Sequence, residues 1–173
     1  MPRPLGMLWS EMDISETRFL VLDVDGVMTD GGMYYTESGD EFKKFNSKDG
    51  EGIKAILARG IEVGVISAGM NAKLIQRRAA LLGIKLVYTG QRTKLSVLKQ
   101  WCDELDIDLD NVVFVGDDLP DIEVMQAVGI AACPADAVPS VREVSDIVLQ
   151  RKGGDACIRE LIDTHLLPAL RED

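Results

Sequence analysis

Two aspartates two residues apart, Asp23 and Asp25, close an apolar run that begins at Phe19. Side chains at i and i+2 of a strand point the same way, so both carboxylates can face one crevice. Gly26 follows and lets the chain turn. The C-terminal end of a strand is where open α/β sheets bind ligands. Two anions this close repel each other and raise a pKa unless a cation offsets them. A hard divalent metal, Mg2+, is the economical solution. A second acidic group, Gly116-Asp117-Asp118-Leu119-Pro120-Asp121, also ends an apolar run and carries the same electrostatic cost.

Positioning these carboxylates takes strands that alternate with helices. Phe19-Leu20-Val21-Leu22 reads as a strand buried on both faces of a parallel sheet. Met33 to Thr36 and Glu41 to Phe45, around Ser38-Gly39, predict a β-hairpin. Asp49 is expected to cap a helix bearing Ile53, Ile56 and Leu57. Ile61 to Ile66 is the second core strand and delivers Ser67. A helix over Asn71 to Leu82 is ended by Gly83. Then follow a strand at Lys85–Tyr88, a helix at Lys94–Leu105, a strand at Val112–Val115 and a helix at Pro120–Val128. A strand at Ile130–Cys133, a helix at Pro139–Val144, a short strand at Ile147–Leu149 and a helix at Ile158–Leu167 complete the chain. This alternation implies a Rossmann-like α/β fold, a parallel sheet with helices on both faces and right-handed crossovers. The 173 residues suffice for one domain, 19–173, behind a loose N-terminal arm, 1–18, in which Leu8 and Trp9 are available to dock on a neighbouring surface.

Hydrophobic content of 46% with 28% charged residues is ordinary for a globular protein. A net charge of −10 argues against nucleic acid or an anionic membrane as partner. No apolar run reaches the ~18 residues of a membrane span. Cys102, Cys133 and Cys157 are scattered without a pairing framework, which suits reduced thiols in the cytoplasm. His165, near the end of the last helix, is placed to complement the helix dipole rather than to do chemistry.

The stretch Asp23-Val24-Asp25-Gly26-Val27-Met28-Thr29-Asp30-Gly31 resembles the first motif of the haloacid dehalogenase superfamily. The resemblance makes Asp23 the nucleophile that takes up phosphorus and Asp25 the general acid/base. Ser67 and Lys94 stand where the second and third motifs belong, to bind a phosphoryl oxygen and to offset developing charge. Asp117 becomes a Mg2+ ligand together with Asp23 and the Asp25 backbone carbonyl. Asp118 and Asp121 become supports around them.

Only the hairpin separates the first motif from the next helix, and Ser67 is followed almost at once by another. No room is left for a cap domain. The chain is therefore similar to the capless branch of phosphatases acting on phosphorylated 3-deoxy-2-keto sugar acids. Further support comes from Phe45 to Gly50, Tyr88-Thr89-Gly90, Pro134 to Ala137, Gly153-Gly154 and Arg159-Glu160. The resemblance implies an aspartyl-phosphate mechanism on 3-deoxy-octulosonate 8-phosphate. Alternatives are a nonulosonate 9-phosphate, a broad range of sugar phosphates, or a non-catalytic tetramerisation module. It also implies a homotetramer whose neighbouring subunits cover the open site. Gly26, Thr29, Lys48, Gly69 and Arg77 are candidate substrate contacts. Lys43, Lys44, Arg78 and Arg92 are further cations for the sugar carboxylate. Met70 follows Gly69, where the eight-carbon enzymes carry Arg and the nine-carbon enzymes Glu.

Overall fold

A computed structural model describes residues 13–170; of the predicted N-terminal arm it includes only residues 13–18, so Leu8 and Trp9 lie outside the described residues. Its centre is a six-stranded parallel sheet of β1 (Phe19–Leu22), β4 (Glu62–Ser67), β5 (Leu86–Thr89), β6 (Val112–Val115), β7 (Ile130–Cys133) and β8 (Ile147–Val148). The spatial order is β5-β4-β1-β6-β7-β8. After β1 the chain builds outward on one side through β4 and β5, then returns to start β6 on the other side. The crevice at that reversal lies directly above β1, where doubly wound sheets bind their ligands.

Alternation along each strand sorts the core onto two faces. Leu20, Leu22, Val63, Val65, Val113 and Val115 pack on one face. Helices α1 (Ser47–Ala58), α2 (Ala72–Leu82) and α6 (Cys157–Leu161) cover it through Ile53, Ile56, Ile75, Ala79, Ile158 and Leu161. Phe19, Val21, Ile66, Val112 and Phe114 pack on the other face. It is covered by α3 (Lys94–Leu105), α4 (Ile122–Ala127) and α5 (Pro139–Val144) through Leu98, Trp101, Met125 and Val141. β1 is completely buried because both faces are roofed. The predicted hairpin forms from β2 (Tyr34–Tyr35) and β3 (Glu41–Phe42), with the Tyr34 and Phe42 rings stacked at 5.1 Å between centroids. No cap domain interrupts the described residues: only Ala68–Asn71 joins β4 to α2.

Three local expectations need correction. Asp49 does not cap α1; Asn46 does, its side chain accepting from the Lys48 N–H at 2.9 Å. Asp49 lies inside the first turn, buried, and accepts the Arg159 N–H at 2.9 Å. The helix expected from Pro120 begins as a tight turn over Leu119–Asp121, because the Asp121 carboxylate bonds back to the Asp117 and Asp118 N–H groups. The last helix widens by a turn over Ile162–Leu166 and continues in α7 (Leu167–Ala169). Pro168 has no N–H to give to the preceding turn.

Candidate active site

Four chain segments meet above β1. Asp23 directly follows β1, and its N–H still pairs with the Val115 carbonyl at 3.1 Å, so the nucleophile candidate is held on the sheet. Ser67 is the last residue of β4, buried, and its Oγ accepts the Gly69 N–H at 3.0 Å. Lys94 is the first residue of α3, whose N-cap is Thr93. Asp117 and Asp121 come from the loop after β6. Together with Asp25, Gly69 and Asp118 these residues line an open cleft of about 150 Å3, which has room for a phosphoryl group.

The charges in the cleft are tightly linked. Lys94 Nζ donates to Asp23 Oδ1 at 2.7 Å and to Asp121 Oδ1 at 2.6 Å. Burial alone would lower the Lys94 pKa, but Asp23 and Asp121 more than offset it and raise it. Asp121 Oδ2 accepts the Asp117 and Asp118 N–H groups at 2.9 and 3.3 Å, so both its oxygens are in use. Asp23 and Asp117 are pushed above the usual carboxylate range. For Asp23 the causes are burial and then the Asp121 charge, with Lys94 opposing. For Asp117 they are burial and then the Asp23 charge.

Carboxylate oxygens of Asp23, Asp117 and Asp121 lie within 4.8 Å of one another. Three carboxylates against the one Lys94 ammonium leave an excess of two negative charges when all are ionised. Asp117 Oδ1 is buried without a hydrogen-bond partner among the described residues. A buried, unpaired carboxylate oxygen beside a second anion is costly unless a cation occupies the space. These residues therefore fit a divalent metal, with Asp23 and Asp117 as its side-chain ligands. Asp121 serves Lys94 and the loop backbone.

Gly26 makes this approach possible. Its φ of +88° favours glycine, and a Cβ there would lie 1.9 Å from Asp117 Oδ2. Thr29 is buried and its Oγ1 accepts the Gly26 and Gly31 N–H groups at 3.3 and 3.2 Å, so it pins the turn that carries Asp25. Gly69 borders the cleft, while Lys48 and Arg77 are exposed residues of α1 and α2 that do not line it. Arg78 is engaged over the Phe45 ring and with the Asn46 carbonyl, and Arg92 with Tyr88 and Gln100.

Lys43 is the departure that sequence reasoning missed. Offered as an anchor for a sugar carboxylate, it instead donates to Asp25 Oδ1 at 2.6 Å and Glu41 Oε1 at 3.2 Å. The expected strand Glu41 to Phe45 would put Glu41 and Lys43, spaced i, i+2, on one side. The strand that forms ends at Phe42, and nothing in that spacing points to Asp25.

A profile of haloacid dehalogenase-like hydrolases matches residues 82–161. The 3-deoxy-D-manno-octulosonate 8-phosphate phosphatase KdsC of Escherichia coli (strain K12) is 44% identical over 150 residues, 87% of this chain and 79% of that protein. This chain belongs to that phosphatase family. Being a member makes it a phosphoric monoester hydrolase of the haloacid dehalogenase type. The crystal structure of the Yersinia pestis phosphatase has a TM-score of 0.87 at 38% identity, covering 91% of this chain and 84% of that one. The Moraxella catarrhalis phosphatase, solved in complex with a magnesium ion, a phosphate ion and KDO, has a TM-score of 0.88 at 31% identity. There the shared part is 94% of this chain and 93% of that one. Among the described residues, no helix is long and apolar enough to cross a membrane.

Proposed function

We propose that this chain is a Mg2+-dependent phosphatase of 3-deoxy-D-manno-octulosonate 8-phosphate that works through an aspartyl-phosphate on Asp23. The observation that carries the reading is the buried Asp23, ion-paired to Lys94 and placed beside the unpartnered Asp117 Oδ1. The relatives named above supply the substrate.

Asp23 attacks phosphorus, a new O–P bond forms, and the P–O bond to the sugar breaks. Asp25 delivers a proton to the departing sugar oxygen, then takes one from the water that hydrolyses the acyl phosphate. Ser67 donates its hydroxyl proton to a phosphoryl oxygen. Lys94 offsets the charge on the equatorial oxygens while holding Asp23 in place. Asp121 fixes Lys94 and the loop through the bonds described above, and Asp118 Oδ1 accepts the Leu119 N–H at 2.8 Å within that loop. A Mg2+ held by Asp23, Asp117 and the Asp25 carbonyl would supply charge neutralisation to the transferring group.

The cleft takes the phosphoryl end, and the rest of the sugar acid must lie outside it. A cytoplasmic homotetramer, with neighbouring subunits covering the mouth and the single domain 19–173 as its unit, completes this reading. A nonulosonate 9-phosphate is the second reading. Met70, 96% exposed beside the cleft residue Gly69, offers neither the Arg nor the Glu that the resemblance associates with the two substrate classes. The filled set of acids, Ser67 and Lys94 speaks against a non-catalytic module.

Phosphate release from the octulosonate 8-phosphate, the nonulosonate 9-phosphate and hexose phosphates, with and without Mg2+, tests the proposal. The expected result is Mg2+-dependent turnover of the octulosonate ester that is lost in Asp23→Asn. Equal rates on every ester would sink the substrate assignment.

A further inference from the structure

The two oxygens of Asp25 face different neighbours. Oδ1 takes the Lys43 ammonium at 2.6 Å. Oδ2 faces the cleft: a Cβ built on Gly69 would lie 3.4 Å from Asp25 Oδ2 and 3.0 Å from Ser67 Oγ, so both atoms border the same small space. The Lys43 side chain is 5% exposed and is braced in turn by Glu41 Oε1. The other oxygen of Glu41, Oε2, accepts from Asn71 Nδ2 at 2.8 Å. A chain of contacts thus runs from the loop before α2 to the hairpin and on to Asp25. Asn71 makes no side-chain capping bond to α2, so its amide is free to serve this purpose.

We infer that Lys43 is a positioning residue: it clamps Asp25 Oδ1 so that Oδ2 is the oxygen that exchanges protons with the sugar ester and with water. This inference rests on the phosphatase reading and deepens it. A carboxylate on a turn can rotate about χ2, which interchanges its oxygens and moves both off line. One fixed ammonium on Oδ1, itself held by Glu41 and Asn71, removes that freedom. Reacting groups must be placed to within a fraction of an ångström for proton transfer to keep pace with P–O cleavage. Lys43 touches neither phosphorus nor the leaving oxygen; it acts through Asp25.

The test uses the full chain at saturating Mg2+ with the octulosonate 8-phosphate. Lys43→Met keeps the aliphatic stem and removes the ammonium. Its kcat is expected to fall on the order of tenfold to a hundredfold, with KM and the Mg2+ midpoint moving by about twofold or less. Lys43→Arg should recover most of the loss. Asn71→Ala, which does not touch Asp25, should lower kcat in the same sense by a smaller factor. In the Asp25→Ala background, Lys43→Met should cost nothing further, because the two residues act as one unit. A loss confined to KM would make Lys43 a substrate anchor, and a full additive loss on top of Asp25→Ala would place its action elsewhere. Either result, or an unchanged kcat, overturns the inference. A wild-type chain that turns over none of the three esters overturns the phosphatase reading itself.

Discussion

Lys94 answers to two carboxylates at once, and that makes it the residue on which the site's electrostatics depend. Its single ammonium is shared between Asp23 and Asp121 where little water reaches. Lys94→Met leaves both acids buried without their shared cation, Asp121 keeping only its backbone N–H bonds, at an expected cost of about 3 kcal/mol. A fall in the urea midpoint, alongside lost phosphate release, checks this. Asp49 is the opposite case, a buried carboxyl outside the cleft. Burial pushes its pKa up from 3.8 to about 6, against the Arg159 backbone bond and the Arg78 charge. The fold therefore favours the neutral form. The associated stability is fully present below about pH 4 and is lost as pH rises through 6. Asp49→Asn keeps an acceptor for the Arg159 N–H, and its stability relative to wild type should rise by about 3 kcal/mol between pH 4 and 7. Denaturation at several pH values measures that difference. An unchanged gap across the range would show that Asp49 is solvated.

At the scale of elements, the turn after β1 that carries Asp25 is held from the far end of the sequence. The Gly154 N–H bonds the Val27 carbonyl at 3.1 Å, Asn46 Nδ2 reaches the Gly154 carbonyl at 3.2 Å, and Cys157 Sγ donates to Val27 O at 3.4 Å. A Cβ on Gly153 would lie 1.8 Å from the Gly26 carbonyl oxygen, so the two backbones are in direct contact. Gly153→Ala is expected to destabilise the chain by about 2 kcal/mol and to lower kcat, because the turn carrying Asp25 and Gly26 must move. Thermal unfolding and steady-state rates together read both effects. Loss of stability with kcat intact would mean that the turn tolerates the shift.

The whole molecule carries an open cleft and an exposed hairpin with apolar side chains. Tyr35 and Phe42 are 57% and 51% exposed, on a two-stranded ribbon that would be marginal by itself. A homotetramer built through these hairpins would bury them and cover the cleft. Light scattering should then give four times the 19.0 kDa chain mass. The pair Tyr35→Lys and Phe42→Glu should yield smaller species with reduced turnover. A monomeric wild type with full activity would remove the need for a covering subunit. Mg2+ gives a second reading of the whole chain. At about a hundred times its dissociation constant it should add about 2.7 kcal/mol of stability, and Asp117→Asn should abolish most of that gain.

How much was legible depended on the range of the interactions. The parallel strands were readable because burial on both faces forces unbroken apolar runs, and β1, β6 and β7 appear as predicted. Asp23, Asp25 and Asp117 stood out because acids interrupt apolar runs at strand ends. Ser67 and Lys94 were singled out only by the resemblance, which gives them their order between the two acidic motifs; the fold brings all five to one cleft. Local pattern says nothing about which distant charges share a space. The Asp121–Lys94 contact was anticipated only through the resemblance, while the seat of Asp49 under α6, the Gly153–Gly26 contact and the Lys43–Asp25 clamp join residues far apart in the chain and went unread. Their partners were selected by packing, since a buried charge or polar group takes whatever complement the folded backbone brings within about 3 Å. Sequence by itself determined the fold class and the chemistry available to it. Tertiary structure decided which charges face one another, because only the closed sheet and its covering helices bring them together.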